Sequence, residues 1–173
     1  MAKLDVLDTL KARRSIRSFQ DRPIEEQKIL NILEAARLSP SAVNLQPWDF
    51  VIVKDPTVKD QLYEAYNRAW FVRAPIIIVV CVAPQRAWRR SDGEEFWKID
   101  GAIAGQSMVL TAASEGLGTC WIGAFDEKKC KDALGIPNEV RVVAMIPVGY
   151  PAESKGPVSE RKPITEIIHY NRW

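Results

Sequence analysis

The chain has 173 residues, 47% of them hydrophobic and 27% charged, which is the balance of an ordinary globular domain with a substantial core. Its formal net charge of +2 is too small to indicate nucleic acid or an anionic membrane as the main partner. Three cysteines without a C-x-x-C spacing argue against a disulfide framework and against a zinc site. We therefore expect one domain over residues 1–173, acting without nucleic acid and without a membrane.

The N-terminal residues contain no hydrophobic signal segment, and the most apolar run, residues 74–83, is too short to cross a bilayer. An odd number of cysteines is also typical of a reducing compartment. Together these features predict a cytoplasmic protein.

Two helices are predicted near the start of the chain. Leucines at helical spacing indicate a short helix over residues 4–11, directly before a basic stretch that begins at Arg13. A second helix is expected between Pro23 and Ser39, with acidic residues in its first turn. Its predicted buried face consists of Ile29, Leu30, Leu33 and Ala36.

Strands and helices then alternate. Runs of apolar, β-branched residues predict strands over residues 50–53 and 75–82, with a helix over residues 57–69 between them. A polar loop around residues 88–94 leads to a long helix, whose apolar positions run from Ile99 to Ala113 and which stops at a Gly-Leu-Gly sequence. Small residues in this helix would let another helix approach closely.

The last third of the chain adds a short strand at residues 119–122, a helix at 127–134 and a buried strand at 140–148. The sum predicts an α+β, or mixed α/β, fold. Residues 154–163 show no apolar periodicity and predict a polar loop, whereas residues 164–173 are too apolar for a free end. We expect this tail to pack on another surface.

The chain lacks the motifs that mark several common enzyme classes. No G-x-G-x-x-G follows a predicted strand, and there is neither a P-loop nor a G-x-S-x-G elbow. The single histidine, His169, lies in the apolar tail, where we expect a partly buried surface residue and not a catalytic base. Histidine-dependent hydrolases and metal sites are therefore poor candidates, and any chemistry is expected from an organic cofactor.

Four polar stretches carry groups suited to a ligand. Residues 13–19 hold three arginines and two serines, which suits a phosphate ester because guanidinium groups bind phosphate oxygens in pairs. Residues 39–48 are crowded with amides and hydroxyls, residues 118–125 contain glycines that let a ligand approach the backbone, and residues 159–163 are basic. Each stretch also has a purely structural interpretation. Residues 13–19 and 159–163 could be solvated turns, residues 39–48 a helix-to-strand turn, and the glycines of residues 118–125 could allow close packing against a helix.

In this order, the motifs R-R-S-I-R, P-S-A-x-N-x-Q-P-W, D-G-A with G-L-G-T-C-W-I-G, and R-K-P resemble those of the FMN-dependent nitroreductase family over nearly the whole chain. The resemblance implies a three-layer fold with a central, mainly antiparallel sheet flanked by helices. It also implies an intertwined homodimer with FMN sites at the interface and a tail that crosses to the second subunit. The chain is short for the family, and Ala42 stands where many relatives have a second serine.

By the same resemblance, the cofactor-binding residues are Arg13, Arg14, Ser15, Arg17, Ser39, Pro40, Ser41, Asn44, Gln46, Ile122, Gly123, Arg161 and Lys162. The phosphate would be held by Arg13, Arg14, Ser15 and Arg161. Arg17 would face the pyrimidine edge of the flavin, where its charge favours the reduced ring. Ser41 and Asn44 would come from the second subunit, and the backbone of Ile122 and Gly123 would donate hydrogen bonds to the ring. No side chain is expected to act as a catalytic acid or base.

The implied activity is transfer of reducing equivalents from NAD(P)H to an electron-poor small molecule, a nitroaromatic, a quinone or a flavin, by a ping-pong mechanism. Two alternatives stay open. One is a specialised member that acts on flavin itself or on halogenated aromatics, and the other is a flavin-binding module without turnover. Nucleic-acid binding through the arginine-rich residues is disfavoured by the nearly balanced charge.

Overall fold

The computed structural model describes residues 5–156, 158 and 160–173. In this part of the chain, one antiparallel sheet has the strand order β1-β2-β4-β3. Its strands are β1 (Trp48–Val53), β2 (Ile76–Val82), β3 (Gly118–Thr119) and β4 (Arg141–Gly149). The prediction of a mainly antiparallel sheet is thereby confirmed.

Helices lie on both faces of this sheet. They are α1 (Val6–Ala12), α2 (Glu26–Arg37), α3 (Pro56–Gln61), α4 (Ala69–Val72), α5 (Trp97–Ser114) and α6 (Glu127–Leu134). Short 3-10 turns occur at Ala42–Asn44, Leu62–Glu64, Pro84–Arg86 and Ile164–Glu166.

Local sequence sets several helix ends. The carboxylate of Asp126 accepts a hydrogen bond from the Lys129 amide at 3.0 Å and so caps α6. The same helix ends at Gly135, whose φ of 65° is readily adopted by glycine. Asp55 caps α3, and Pro56 occupies a first-turn position where its missing N–H costs nothing.

The strand β2 is buried along its whole length and separates two apolar clusters. Its side chains at Ile76, Ile78, Val80 and Val82 belong to the cluster formed with α2 and α5. Those at Ile77, Val79 and Cys81 belong to the cluster formed with α4, α6 and the turn after α3. The strand reads as an unbroken apolar run because both of its faces are covered, and the result is the predicted three-layer arrangement.

Two predictions about helices in the first half were wrong. The helix predicted at residues 57–69 is interrupted, because α3 ends at Gln61 and a single 3-10 turn brings Tyr66 edge-on against Phe71, with ring centroids 5.3 Å apart. The chain packs these aromatic rings against each other and does not continue the helix to residue 69. Leu30, assigned to the buried face of α2, is 49% exposed, and Ile32 is fully buried in its place.

The long helix α5 buries a strip that includes Val109 but not Ile99 of its apolar pattern. Ile99 is 42% exposed, whereas Gly101, Ala104, Met108 and Ala112 are buried against the rest of the chain. Polar and small residues make up part of the buried strip, so a count of apolar positions does not identify it. The apolar residues left outside are available to a surface from another molecule.

The segment after β4 is tied to the start of α2 through Tyr150. Its hydroxyl donates to Glu25 at 2.5 Å, and the Arg22 guanidinium lies 3.8 Å from the ring centroid. The Tyr150 hydrogen bond, more than any other contact, lowers the pKa of Glu25 to about 2. These contacts fix the position from which residues 151–155 reach back to the N-terminal part of the chain.

Large apolar side chains remain exposed at both ends of the described chain. They include Val6 and Leu7 in α1 and, in the tail, Ile164, Ile167, Tyr170 and Trp173. The expected packing of the tail therefore needs a surface that this chain does not supply, and it stays a prediction. His169 is exposed in this chain and stacks on Trp173, so its expected partial burial stays a prediction together with the packing of the tail. None of the described helices has both the length and the apolar character required to cross a bilayer.

Candidate functional site

Residues 13–19, here called the arginine loop, are attached to the edge of the sheet beside β3. Ser15 forms a parallel bridge with Thr119, and the Ile16 amide donates to the Thr119 carbonyl at 2.8 Å. A Cβ atom on Gly118 would lie 2.7 Å from Cγ1 of Ile16. Close packing thus explains this glycine, and the arginine loop is a fixed extended segment, not a solvated turn.

A second attachment comes from the segment after β4. The Lys155 ammonium donates to the Ser15 carbonyl at 2.7 Å, and the Glu153 carboxylate accepts from the Arg17 amide at 2.6 Å. The two side chains pair at 3.0 Å. The Arg17 amide, followed by Lys155, lowers the pKa of Glu153. The sequence analysis did not identify Glu153 and Lys155 as site residues. Their only signal in the sequence is their place shortly after the Gly-Tyr-Pro sequence that closes β4.

A cavity of about 500 Å³ opens between the arginine loop, α5 and Arg161, which lies in the loop before the tail. Its lining consists of Leu10, Arg13, Ser15, Gln106, Val109, Thr119, Trp121 and Arg161. The volume falls within the range of small-molecule sites. The structure therefore brings together three of the four predicted phosphate ligands, Arg13, Ser15 and Arg161, from opposite ends of the chain.

The composition of this cavity suits an elongated organic anion. The guanidinium groups of Arg13 and Arg161 and the Ser15 hydroxyl offer donors matched to phosphate oxygens. Leu10, Val109 and the indole of Trp121 offer an apolar and aromatic wall. Leu10, Gln106, Val109, Thr119 and Trp121 were absent from the predicted site, although the last two belong to a motif that the sequence analysis singled out.

Other predicted residues of the basic stretches lie apart from this cavity. Arg14 lines a neighbouring cavity of about 260 Å³, together with Lys155 and Gly116. Lys162 is exposed and lines neither cavity. The Arg17 side chain is also exposed, and its charge opposes the rise that burial causes in the pKa of Cys120.

The backbone prediction at Ile122 was wrong, whereas Gly123 stays a candidate donor. The Ile122 amide already donates to the Met145 carbonyl at 3.0 Å, in an isolated bridge that extends the sheet. Gly123 is exposed, and its amide donates to no described group. A ligand beside this segment would find the amide of Gly123 available, but not that of Ile122.

Residues 39–46, here called the amide loop, have an unusual backbone. Val43, Asn44 and Gln46 have φ angles of 54°, 57° and 48°, in the left-handed region that non-glycine residues seldom adopt. Each such residue costs about 1–3 kcal/mol, and such strain concentrates at functional sites. The Ser41 hydroxyl accepts from the Gln46 amide at 2.9 Å, and the Gln46 side chain donates to the Asn44 carbonyl at 3.2 Å.

Ser39 has a structural role at the start of the amide loop. Its side chain is buried, and its hydroxyl donates to the Ala35 carbonyl at 3.0 Å and lies 2.7 Å from the Ser107 hydroxyl on α5. The next residue, Pro40, is exposed. Packing between α2 and α5 thus accounts for Ser39, and the exposed polar groups of the loop are those of Asn44 and Gln46, with Ser41 partly exposed.

Asp100, in the first turn of α5, is buried beneath the amide loop with 1% of its surface exposed. Its Oδ1 accepts from the Ala42 amide at 2.9 Å, whereas Oδ2 has no hydrogen-bond partner among the described residues. Sequence reading noted Asp100 only as part of a motif and gave it no role. The available signal was a lone carboxylate at the start of an otherwise apolar helix.

The two groups of predicted residues lie at different places on one chain. Asp100 holds the amide loop, while Val109 lines the cavity of Arg13 and Arg161. Nine positions separate them on α5, which corresponds to about 13 Å along the axis and roughly opposite sides of the helix. None of the amide-loop residues lines that cavity.

Neither thiol nor metal chemistry has a site in the described residues. Cys81, Cys120 and Cys130 are unpaired and buried, and burial raises the pKa of Cys81 and of Cys130 to about 12. Such thiols stay protonated and unreactive at neutral pH. Within residues 5–156, 158 and 160–173, no group of three or more histidine, cysteine or acidic residues is arranged to hold a metal ion.

Comparison with known proteins gives a consistent result. A sequence profile described as the nitroreductase family matches residues 10–72 and 62–150. A protein of Thermus thermophilus named NADH dehydrogenase is 33% identical, with 96% of this chain and 98% of that protein covered. A solved nitroreductase family protein from Clostridium novyi is 36% identical, with a TM-score of 0.81 and 87% of each chain covered. An FMN-dependent nitroreductase from Clostridium difficile is 28% identical, with a TM-score of 0.81 over 96% of this chain and 99% of that chain.

Proposed function

Because the chain belongs to the nitroreductase family of oxidoreductases, we propose that it binds FMN and uses NAD(P)H to reduce an electron-poor acceptor. The observation that carries this proposal is the convergence of Arg13, Ser15 and Arg161 on one cavity with an aromatic wall. FMN is an elongated anion with a phosphate at one end and a planar ring at the other. The charges and the apolar lining of the cavity fit those two ends.

The phosphate is assigned to the cationic part of the cavity. Arg13 and Arg161 supply paired N–H donors, and Ser15 adds a neutral one. Lys155 and Glu153 hold the backbone at the Ser15 carbonyl and at the Arg17 amide, so the Ser15 hydroxyl is positioned before a ligand arrives. Arg14 and Lys162 are excluded from this set, because neither lines the cavity.

The ring is assigned to the aromatic wall of the cavity at Trp121 and to the neighbouring residues Arg17 and Gly123. When bound, FMN supplies the transfer of two electrons, which none of the side chains could perform. A fixed guanidinium stabilises negative charge that develops on the reduced ring, and the Gly123 amide can donate to a ring acceptor. Neither role needs a protein acid or base, which agrees with a site that has no histidine.

We further propose that the site is completed in a homodimer. The amide loop does not line the cavity of its own chain, so we assign the groups of Ser41 and Asn44 on the other side of the ring to the loop of a second copy. Exposed apolar residues on α1, on α5 and in the tail give such a dimer a large surface to bury. The loop that carries Arg161, directly before the tail, would be fixed by the same association.

The test is a titration of flavin-free protein with FMN and with riboflavin, which lacks the phosphate. Arg161→Ala should weaken FMN by about tenfold to a hundredfold, the loss expected for a hydrogen bond to a charged group, and leave riboflavin unchanged. Arg73→Ala removes an exposed arginine that lines neither cavity and serves as the matched control. Equal weakening of both flavins by Arg161→Ala would refute the phosphate assignment.

A further inference from the structure

Asp100 combines burial with an incomplete set of hydrogen bonds. It is 1% exposed, its Oδ1 accepts from the Ala42 amide at 2.9 Å, and its Oδ2 has no described partner. A buried carboxylate with an unsatisfied oxygen is unfavourable for folding, so its presence calls for a different reason. The nearest feature that needs explanation is the strained amide loop directly above it.

Apart from Asp100, the described hydrogen bonds of residues 41–46 are internal to the loop. The Gln46 amide donates to the Ser41 hydroxyl, and the Gln46 side chain donates to the Asn44 carbonyl. The Asn44 amide donates to the Ser41 carbonyl at 3.0 Å. Among the described residues, Asp100 is thus the one group outside this segment that hydrogen-bonds to it. Since the loop's apolar residues are exposed, Val43 by 73%, packing does not hold the strained backbone either.

We propose that Asp100 is a positioning residue that holds the amide loop in its left-handed conformation and so presents Ser41 and Asn44 to the ring of the flavin. This inference rests on the proposed function. It assigns Asp100 to the ring half of the ligand and not to the phosphate. The ring bound by one protomer is therefore shaped by a buried carboxylate of the other.

The role predicts a pattern that distinguishes it from the phosphate ligands. Asp100→Ala should weaken FMN and riboflavin alike, each by about tenfold, because the ring is common to both. The ratio of the two affinities stays at the wild-type value, in contrast to Arg161→Ala. The visible spectrum of the bound flavin should shift, since the polar groups beside the ring move. Asp100→Asn retains an acceptor for the Ala42 amide and should restore affinity and spectrum.

Ser107→Ala is the matched control, because it removes a buried polar contact between the same helix and Ser39 without touching residues 41–46. It should lower thermal stability and leave flavin affinity and spectrum unchanged. If Asp100→Ala does not fold, Ala42→Pro breaks the same hydrogen bond by removing the Ala42 N–H. This variant should also weaken FMN and riboflavin alike. Affinities that stay at the wild-type value in a folded Asp100→Ala or Ala42→Pro protein would overturn the assignment.

Amide hydrogen exchange in flavin-free protein gives a readout that does not depend on the proposed function. Exchange at Ala42 and Asn44 should accelerate by about tenfold or more in Asp100→Ala and remain slow in Asp100→Asn and Ser107→Ala. Unchanged exchange in Asp100→Ala would show that this carboxylate does not hold the loop. If the wild-type protein binds no flavin but the three variants differ in exchange as described, the proposed function and the ring assignment are contradicted. The anchoring of the loop by Asp100 would then still stand.

Discussion

Replacing Gly105 by alanine should push the Trp121 indole away from α5 and disturb the cavity that it lines. A Cβ at position 105 would lie 2.5 Å from Cζ3 and 2.7 Å from Cη2 of Trp121. Carbon atoms in favourable contact are about 3.5–4.0 Å apart, so the ring must move by about 1 Å. Overpacking of this kind costs about 1–3 kcal/mol. Trp121 is 37% exposed and can swing outward, which favours the lower half of that range, about 1–2 kcal/mol.

The assay is thermal unfolding of the flavin-free protein together with FMN titration. For a chain of this size, a loss of 1 kcal/mol lowers Tm by roughly 2–4 °C. Gly101→Ala is a matched control on the same helix, because its Cβ would meet Val82 and Val143 at 2.8 Å inside the core, away from the cavity. Both variants should lose stability, and only Gly105→Ala should also weaken FMN.

A double-mutant cycle decides whether the indole is the cause. In a Trp121→Ala background the clash is absent, and Gly105→Ala should then stabilise the protein by up to about 1 kcal/mol, the difference in helix propensity between the two residues. A cost of Gly105→Ala that persists unchanged in that background would refute the proposed contact. It would also show that the absence of a side chain at Gly105 does not set the position of the Trp121 indole in the cavity.

Three further results are expected. Leu7→Asp, at an exposed apolar position of α1, should shift the protein from dimer to monomer in size-exclusion chromatography and reduce FMN binding, whereas a wild-type monomer with full flavin occupancy would contradict the shared site. Steady-state kinetics should give parallel double-reciprocal plots, because NAD(P)H and the acceptor use the same face of the flavin in turn. Intersecting lines would contradict this ping-pong mechanism. Glu153 has a pKa below its ordinary value of 4.5 in the folded chain, so its stabilising contribution is complete above that value and is lost as pH falls through the lowered one. The difference in unfolding free energy between wild type and Glu153→Gln should therefore be larger at neutral pH than at about pH 3, and a difference independent of pH would exclude the ionised carboxylate, with its contacts to the Arg17 amide and to Lys155, as its source.

Parts of the fold were predictable where local chemistry decides the structure. The bounds of α6 follow from Asp126 at its start and Gly135 at its end, and both signals are local. The apolar run of β2 identified a strand covered on both faces. The interruption after α3 was missed, because the pattern of residues 57–69 does not distinguish a continuous helix from a turn that packs Tyr66 edge-on against Trp70 and Phe71.

The candidate site shows the same division. The motif order associated Arg13 and Ser15 with Arg161, and all three line one cavity. The contact between Lys155 and Ser15 joins residues 140 positions apart, and no spacing rule connects them. Ile122 was assigned a ligand role by the family resemblance, whereas in the fold its amide donates to the Met145 carbonyl. Partners of backbone groups depend on strand pairing, which a single sequence leaves open.

The most direct measurement is the flavin content of the purified protein, read from its visible spectrum and from the flavin released on denaturation. We predict a yellow protein with about stoichiometric FMN, which NAD(P)H bleaches under anaerobic conditions and a nitroaromatic restores. A colourless protein that takes up no FMN from solution, or one whose bound flavin NAD(P)H leaves oxidised, would contradict the proposed function.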